Sequence, residues 1–307
     1  MLCGGCAVSG PALMTSASRR AVDELLATDE SFSRGSQDEG TLLTLSAMFA
    51  AEVVMPIAKG RFAEGAAQVI ETLLGQPDNA HSKMAWVPIR GGIAADGQHG
   101  FTLGYMILHK PDNSTVPFKY LAYWVKQPTG WRVVAYKRSP RKLSSVSAAS
   151  IERMPPLLPL KMVTMLLTSP DQLGMLSAMN NAASLEQAER SFSRDAQIIG
   201  LGPAFMQYGG ADAIHLGDAN EAGFIIGPEA ISRAVAADGP AVGSSVYWAP
   251  DKVIVASSGD LGVSIGVIHL NKASANEAQS VPSSPGFSFF TVWHRASAND
   301  PWRYVAE

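Results

Sequence analysis

Cysteine is nearly absent from this chain: of 307 residues, only two are cysteine, Cys3 and Cys6. No disulfide framework is available beyond the first few residues, so the fold must rest on a core. Charge is also sparse, at 17% of residues with a net of −3, which excludes broad attraction to nucleic acid or anionic lipid. Long hydrophobic runs are missing, and no segment is expected to span a bilayer. The most apolar stretch, 154–167, is interrupted by Pro155, Pro156, Pro159 and Lys161. The histidines, at His81, His99, His109, His215, His269 and His294, have no spacing to one another or to carboxylates that would bind a metal. There is no Gly-x-Ser-x-Gly, P-loop or dinucleotide fingerprint, so neither a metal nor a cofactor is expected. Basic residues cluster once, at Lys137, Arg138, Arg141 and Lys142, and this group reads as a solvated linker edge.

What is present is a repeat. Ser31-Phe32-Ser33-Arg34 returns as Ser191-Phe192-Ser193-Arg194, and Trp86-Val87-Pro88 as Trp248-Ala249-Pro250. Gly100-Phe101-Thr102-Leu103-Gly104 is answered by Gly262-Val263-Ser264-Ile265-Gly266, and Trp124 by Trp293. Trp131-Arg132-Val133-Val134-Ala135 returns as Trp302-Arg303-Tyr304-Val305-Ala306. The order is kept while the spacing widens, as expected of a duplicated domain with loop insertions. A length of 307 residues agrees with two domains at roughly 100–200 residues each.

Each copy carries two periodicities. In the first, Val22, Leu25, Leu26, Asp29 and Phe32 recur at helical spacing, Gly40 interrupts, and residues 42–49 predict a second helix. A brief strand near 52–55 and a third helix from Phe62 to Leu73 follow. The period then falls to two, predicting strands at 83–94, 100–109, 116–126 and 131–137. The second copy repeats this order, with Ser184 and Gln187 as a capping box, Pro203 and Pro228 in first helical turns, and strands at 244–256, 261–272, 286–294 and from Trp302 onward. The fold class is α+β: curved antiparallel sheets covered by helices, with an apolar pocket between the layers. Domain bounds are placed at 18–138 and 183–307, with a linker at 139–182 that packs on the domains and a mobile hairpin loop at 273–285. Residues 1–17 resemble the tail of a secretory signal, with Cys6 as an acylated residue of a lipid-anchored periplasmic or secreted protein. The alternative is a structureless N-terminus on a cytoplasmic protein.

Asp29 and Phe32, Trp86 and Pro88, Gly100-x-Thr102-x-Gly104, Tyr120 with Trp124, and Trp131 to Val134 together resemble the nuclear transport factor 2-like superfamily. More narrowly, they resemble its SnoaL-like bacterial branch of unknown function. The second copy keeps Glu189 and Phe192, Trp248 and Pro250, Gly262, Ser264, Gly266 and Trp293. The superfamily includes ketosteroid isomerases, dehydratases, polyketide cyclases and members that only bind or assemble. In the branch, the closing strand usually carries an Asp facing the pocket, where this chain has Tyr136 in copy one and Glu307 in copy two. Glu307 stands at a strand end expected to fray.

Candidate chemistry follows from these residues. A pocket base needs a carboxylate or His among apolar walls, opposed by a hydrogen-bond donor. In copy one these are Asp29 with Tyr105, Tyr120 and Tyr136; in copy two, Glu189 and Glu307 with Tyr247 and His269. Trp86, Trp124, Trp248 and Trp293 are candidate pocket walls. The leading expectation is a binding protein whose pockets hold a small apolar or aromatic molecule, its copies forming an intramolecular pseudo-dimer or a homodimer. The alternatives are a cofactor-free isomerase or lyase working by proton transfer, and an interaction or scaffolding protein of the cell envelope.

Overall fold

The period-three-and-four stripe of the first copy folds as a long helix whose buried face is Val22, Leu25, Leu26, Asp29, Ser33 and Ser36. In this computed structural model the described residues are 11–38, 40–76, 79, 81–143, 152–160, 172–237, 239–240, 242–271 and 286–307. The first copy runs α1 (Pro11–Asp38), α2 (Thr41–Met48), β1 (Phe49–Ile57), β2 (Arg61–Glu64), α3 (Ala66–Leu74), β3 (Lys83–Ile93), β4 (His99–His109), β5 (Thr115–Gln127) and β6 (Gly130–Pro140). The second repeats it as α4 (Gln172–Ile199), α5 (Leu201–Tyr208), β7 (Gly209–His215), β8 (Ile225–Ile226), α6 (Pro228–Ala236), β9 (Val246–Val255), β10 (Leu261–Leu270), β11 (Phe287–His294) and β12 (Arg303–Ala306). The sheet orders are β2-β1-β6-β5-β4-β3 and β8-β7-β12-β11-β10-β9, the same connectivity twice. Both copies thus have the same α+β layout, a six-stranded sheet with three helices.

Three local expectations are refined. The sheets are mixed, because β1 pairs with β6, and β7 with β12, in parallel. Phe62 opens no helix; it lies in β2, which pairs with β1. Ser184 sits inside α4 and donates to the Asn181 carbonyl, so it is no cap. Gly40 (φ 103°) and Gly200 (φ 96°) take a backbone that other residues resist, and each ends one helix before the next begins. A Cβ on Gly104 or Gly266 would lie 2.1 Å from a carbonyl oxygen of the neighbouring strand, beside a register shift in each sheet.

Strand pairing fixes which residues correspond. Phe49 pairs with Val133 as Gly209 pairs with Tyr304, and Val54 with Ala135 as Ile214 with Ala306. Met55 therefore matches His215, and Tyr136 matches Glu307.

The two sheets pack on each other within the chain. Phe101, Leu103, Leu121 and Tyr123 of the first sheet meet Ile214, Val263, Phe290 and Val292 of the second in one buried cluster. The opposite faces hold the helices, over clusters centred on Trp124 and Trp293, each fully buried. Burying such a ring contributes roughly 4–6 kcal/mol as an upper bound.

Polar clasps seal the rim between the copies. Asp96, in the β3–β4 turn, accepts from Ser257 N (2.9 Å) and Ser257 Oγ (2.8 Å), while Asp260 accepts from Ala95 N (3.0 Å). Arg90, buried, pairs with Asp212. Lys119 donates to the carbonyls of Asp218, Glu221 and Gly223 at 3.4, 3.1 and 3.0 Å.

Of the segment after the first sheet, residues 152–160 are described and pack on it. Leu157 N donates to Gly91 O, Ile93 N to Leu157 O, and Met154 N to Ile89 O. The basic cluster is a correction. Arg141 is buried with its guanidinium 4.7 Å from the Tyr105 ring, and Lys137 donates to the Phe290 carbonyl of the other copy. They are packed because the linker edge is covered by the second copy instead of by water. The signal-like residues 1–10, with Cys3 and Cys6, and the 273–285 loop lie outside the described residues, as do Met162 and Met165.

Candidate functional site

Each long helix places one carboxylate in an otherwise apolar stripe and aims it at its own sheet. In copy one, Asp29 Oδ1 accepts from Trp86 Nε1 (2.6 Å) and Oδ2 from the Tyr120 hydroxyl (2.7 Å). Burial pushes its carboxyl up to about 6, against bonds from Tyr120, Trp86 and Thr102. Trp124 Nε1 donates to Thr102 Oγ1 at 2.8 Å, closing the group. In copy two, Glu189 Oε1 accepts from Trp248 Nε1 (2.6 Å), and Oε2 from Ser264 Oγ (2.5 Å) and Trp293 Nε1 (2.9 Å). Burial raises this carboxyl too, against the same three donors. The two indole N–H groups can only donate, so they favour the ionised form and work against burial.

The copies differ in what lies beside that carboxylate. In copy two a cavity of about 280 Å³ opens between the helices and the sheet. Phe192, Phe205, Trp248, Phe289 and Phe290 form much of its wall, and Glu189 reaches it from α4. Its polar end gathers His215 from β7, Thr291 from β11, Glu307 after β12 and Lys137 from β6 of the first copy. Burial raises the Glu307 carboxyl, opposed by Lys137 and reinforced by Glu189. Burial lowers the Lys137 ammonium, opposed by Glu307. Burial, with Lys137 and Lys119 adding to it, pushes His215 down to about 4, so its ring is neutral near pH 7. His215 Nδ1 accepts from Gly217 N at 2.8 Å, which assigns the ring hydrogen to Nε2. That nitrogen lies 3.5 Å from Glu307 Oε1. The strand end does not fray: Glu307 N donates to Ile214 O (3.0 Å), and its carbonyl accepts from Leu216 N (2.8 Å).

In copy one the place beside Asp29 is filled, and a cavity of about 620 Å³ opens further out, lined by Thr41, Leu45, Ile70, Leu73 and Met84 of α2, α3 and β3. Tyr136 is buried with its ring 5.5 Å from that of Phe49, and its hydroxyl points to Met106 Sδ, 3.8 Å away. Neither Asp29 nor Tyr136 lines any of the four cavities of the described residues with the clearest walls.

The sequence candidates therefore divide. Asp29, Trp86, Tyr120 and Trp124 come together in copy one, and Glu189, Trp248 and Trp293 in copy two. Tyr136 makes no hydrogen bond to Asp29. Tyr105 is corrected to the other face of β4: it packs against Phe224 of the second copy, ring centroids 5.0 Å apart. Strand parity explains this, since Thr102 and Met106 face α1 while Phe101, Leu103 and Tyr105 face the other copy. Tyr247 and His269 are corrected as well; they stack on each other at 5.2 Å and are exposed, outside the cavity. Sequence reasoning missed His215, Lys137, Thr291 and the hydroxyls of Thr102 and Ser264. The duplicated Gly-x-Thr/Ser-x-Gly carried the last signal, because a hydroxyl retained between two glycines marks a bond as well as a bend.

No family profile matches the chain, and no curated protein does. Among solved structures it is similar to an NTF2-like protein with a cystatin-like fold from Novosphingobium aromaticivorans, at 13% identity and a TM-score of 0.36, covering 45% of this chain and 95% of that one. It is similar to an NTF-2 like protein of unknown function from Shewanella oneidensis, at 12% identity and a TM-score of 0.32, covering 38% and 97%. A ketosteroid isomerase-like protein from Erwinia carotovora atroseptica matches at 12% identity and a TM-score of 0.30, covering 42% and 96%. These likenesses concern fold alone.

Proposed function

We propose that the second copy binds a small, largely apolar molecule in its cavity, while the first copy is a filled structural partner. The observation that carries this reading is the pairing of aromatic walls with one polar end, where Glu307, His215 and Lys137 converge. Apolar walls supply affinity, and the polar end orients whatever oxygen or nitrogen the molecule carries. Native mass spectrometry of the protein from its own source, with extraction of what co-elutes, tests it. One bound small molecule per chain, lost in Phe289→Trp, is expected; a molecule retained by that variant would contradict the assignment.

A second reading is favoured by one feature, the Glu307 carboxyl raised by burial beside a neutral His215. Such a pair suits a cofactor-free isomerase or lyase that moves a proton at a carbon next to a carbonyl. Glu307→Gln would then abolish turnover while leaving binding of the same molecule within a few fold. Among the described residues, no helix is long and apolar enough to cross a membrane. Export with acylation at Cys6 is part of the proposal on sequence grounds alone, and fractionation of the full-length protein tests it.

A further inference from the structure

Two lysines of the first copy reach into the second, and they are held in opposite ways. The Lys119 ammonium is surrounded by three carbonyl oxygens, at 3.0, 3.1 and 3.4 Å. Each of its hydrogens has an acceptor, so these bonds favour the charged form and tie the copies together, against burial, which lowers the ammonium. The Lys137 nitrogen has one carbonyl acceptor, Phe290 O at 3.2 Å, and lies 5.5 Å from the centre of the Phe290 ring, while the residue lines the cavity. Among the described residues, no carboxylate forms an ion pair with it within 4 Å. A single acceptor is satisfied equally by a neutral amine, which keeps its lone pair free.

We propose that Lys137 is an amine nucleophile donated by one copy to the pocket of the other, capturing a small, largely apolar aldehyde or ketone as an imine. The inference rests on the cavity being a ligand site and names the chemical class it takes. The Lys137 nitrogen lone pair forms a bond to the carbonyl carbon, and the C=O π pair moves to oxygen, which takes a proton from the Glu307 carboxyl. The nitrogen then returns a proton to the Glu307 carboxylate, giving a neutral carbinolamine. Glu307 protonates the carbinolamine hydroxyl, the C–O bond breaks, and water leaves as the nitrogen lone pair forms C=N. The second nitrogen proton passes back to Glu307, so the carboxyl ends as it began and one water is released. Burial favours each neutral participant: the amine over the ammonium and the acid over the carboxylate. His215 Nε2 lies 3.5 Å from Glu307 Oε1, and the Thr291 side chain bonds to that carboxyl.

The test uses the full-length protein, benzaldehyde as probe and sodium cyanoborohydride to trap any imine, with the adduct mapped by peptide mass spectrometry. Each unit by which an amine is lowered raises its neutral fraction about tenfold, so Lys137 is expected to carry at least ~10-fold more benzyl adduct than exposed Lys252. Benzyl alcohol, which has the same shape but no carbonyl, should compete the Lys137 adduct away and leave the Lys252 adduct unchanged. Lys137→Arg, which keeps the length and the N–H donors but has no nucleophilic amine, should lose the adduct while still shifting the Trp248 indole signal with benzyl alcohol. Equal labelling of Lys137 and Lys252, with benzyl alcohol still shifting Trp248, would overturn the imine and leave the cavity reading standing. No shift of Trp248 and no preference for Lys137 would overturn both.

Discussion

The two copies start from the same parts and end in different states. Each sets a helix carboxylate against an indole N–H and a hydroxyl: Asp29 with Trp86 and Tyr120, Glu189 with Trp248 and Ser264. The divergence lies one strand away, where Met55 and Tyr136 stand opposite His215 and Glu307. Copy one filled its interior with a sulfur and a phenol, and copy two opened a cavity bounded by a carboxyl and an imidazole. The lesson is that the duplicated carboxylate is the shared structural anchor, and that the residues which differ line the cavity proposed as the ligand site.

Breaking the filled state of copy one should produce the largest effect. Tyr136→Ala removes a buried ring and is expected to cost ~3–5 kcal/mol, read by denaturant unfolding. Because the hole adjoins Phe49 and Met106, added phenol should recover part of that loss. Full stability without phenol would mean that the copies differ less than described.

The clasp between the copies comes next. Asp96 accepts from Ser257, Gln98 and His99, and Asp96→Ala should cost ~2–4 kcal/mol. Burial acts to raise this carboxyl, but bonds from His99, Gln98 and Ser257 outweigh it and hold it at about 2. A folded value below the unfolded one means the stabilisation is complete above about pH 4 and is lost as pH falls toward 2. A melting-temperature profile of wild type against the variant should therefore converge at the acid end.

Asp29 should show a smaller dependence of the opposite sign. Its folded value, about 6, lies above the unfolded one, so its contribution is fully present below about pH 4 and declines as pH rises through 6. Asp29→Asn should flatten that decline while leaving the second copy's cavity untouched. An unchanged slope between pH 4 and 7 would show that Asp29 is ionised at ordinary cost.

The same physics decides how much could be read beforehand. Asp29 and Glu189 stood out because a carboxylate inside a helical apolar stripe is anomalous on its face. The repeat gave the order of most elements along the chain and its glycines the bulges, since close backbone approach leaves a local mark, whereas β2 and the parallel pairing of β1 with β6 did not show. Faces of the strands were harder to read. A sheet packed by helices on one side and by another sheet on the other is apolar on both, so alternation does not say which side is the pocket. Tyr105 was placed on the wrong face for that reason. Lys137 escaped because its surroundings come from more than 150 residues away, at Phe290 and Glu307; a charge next to a linker looks solvated until the other copy covers it.

The central claim is that the cavity of copy two takes a ligand and the interior of copy one does not. Six tryptophans give it a direct readout, because Trp86 and Trp248 are matched residues whose indole N–H groups face matched carboxylates. We would titrate the ¹⁵N-labelled protein with benzyl alcohol and follow both indole signals. The account predicts that Trp248 moves in a saturable way, Trp86 stays still, and Glu307→Tyr abolishes the shift. Equal movement of Trp86, or a Trp248 shift that survives Glu307→Tyr, would contradict it.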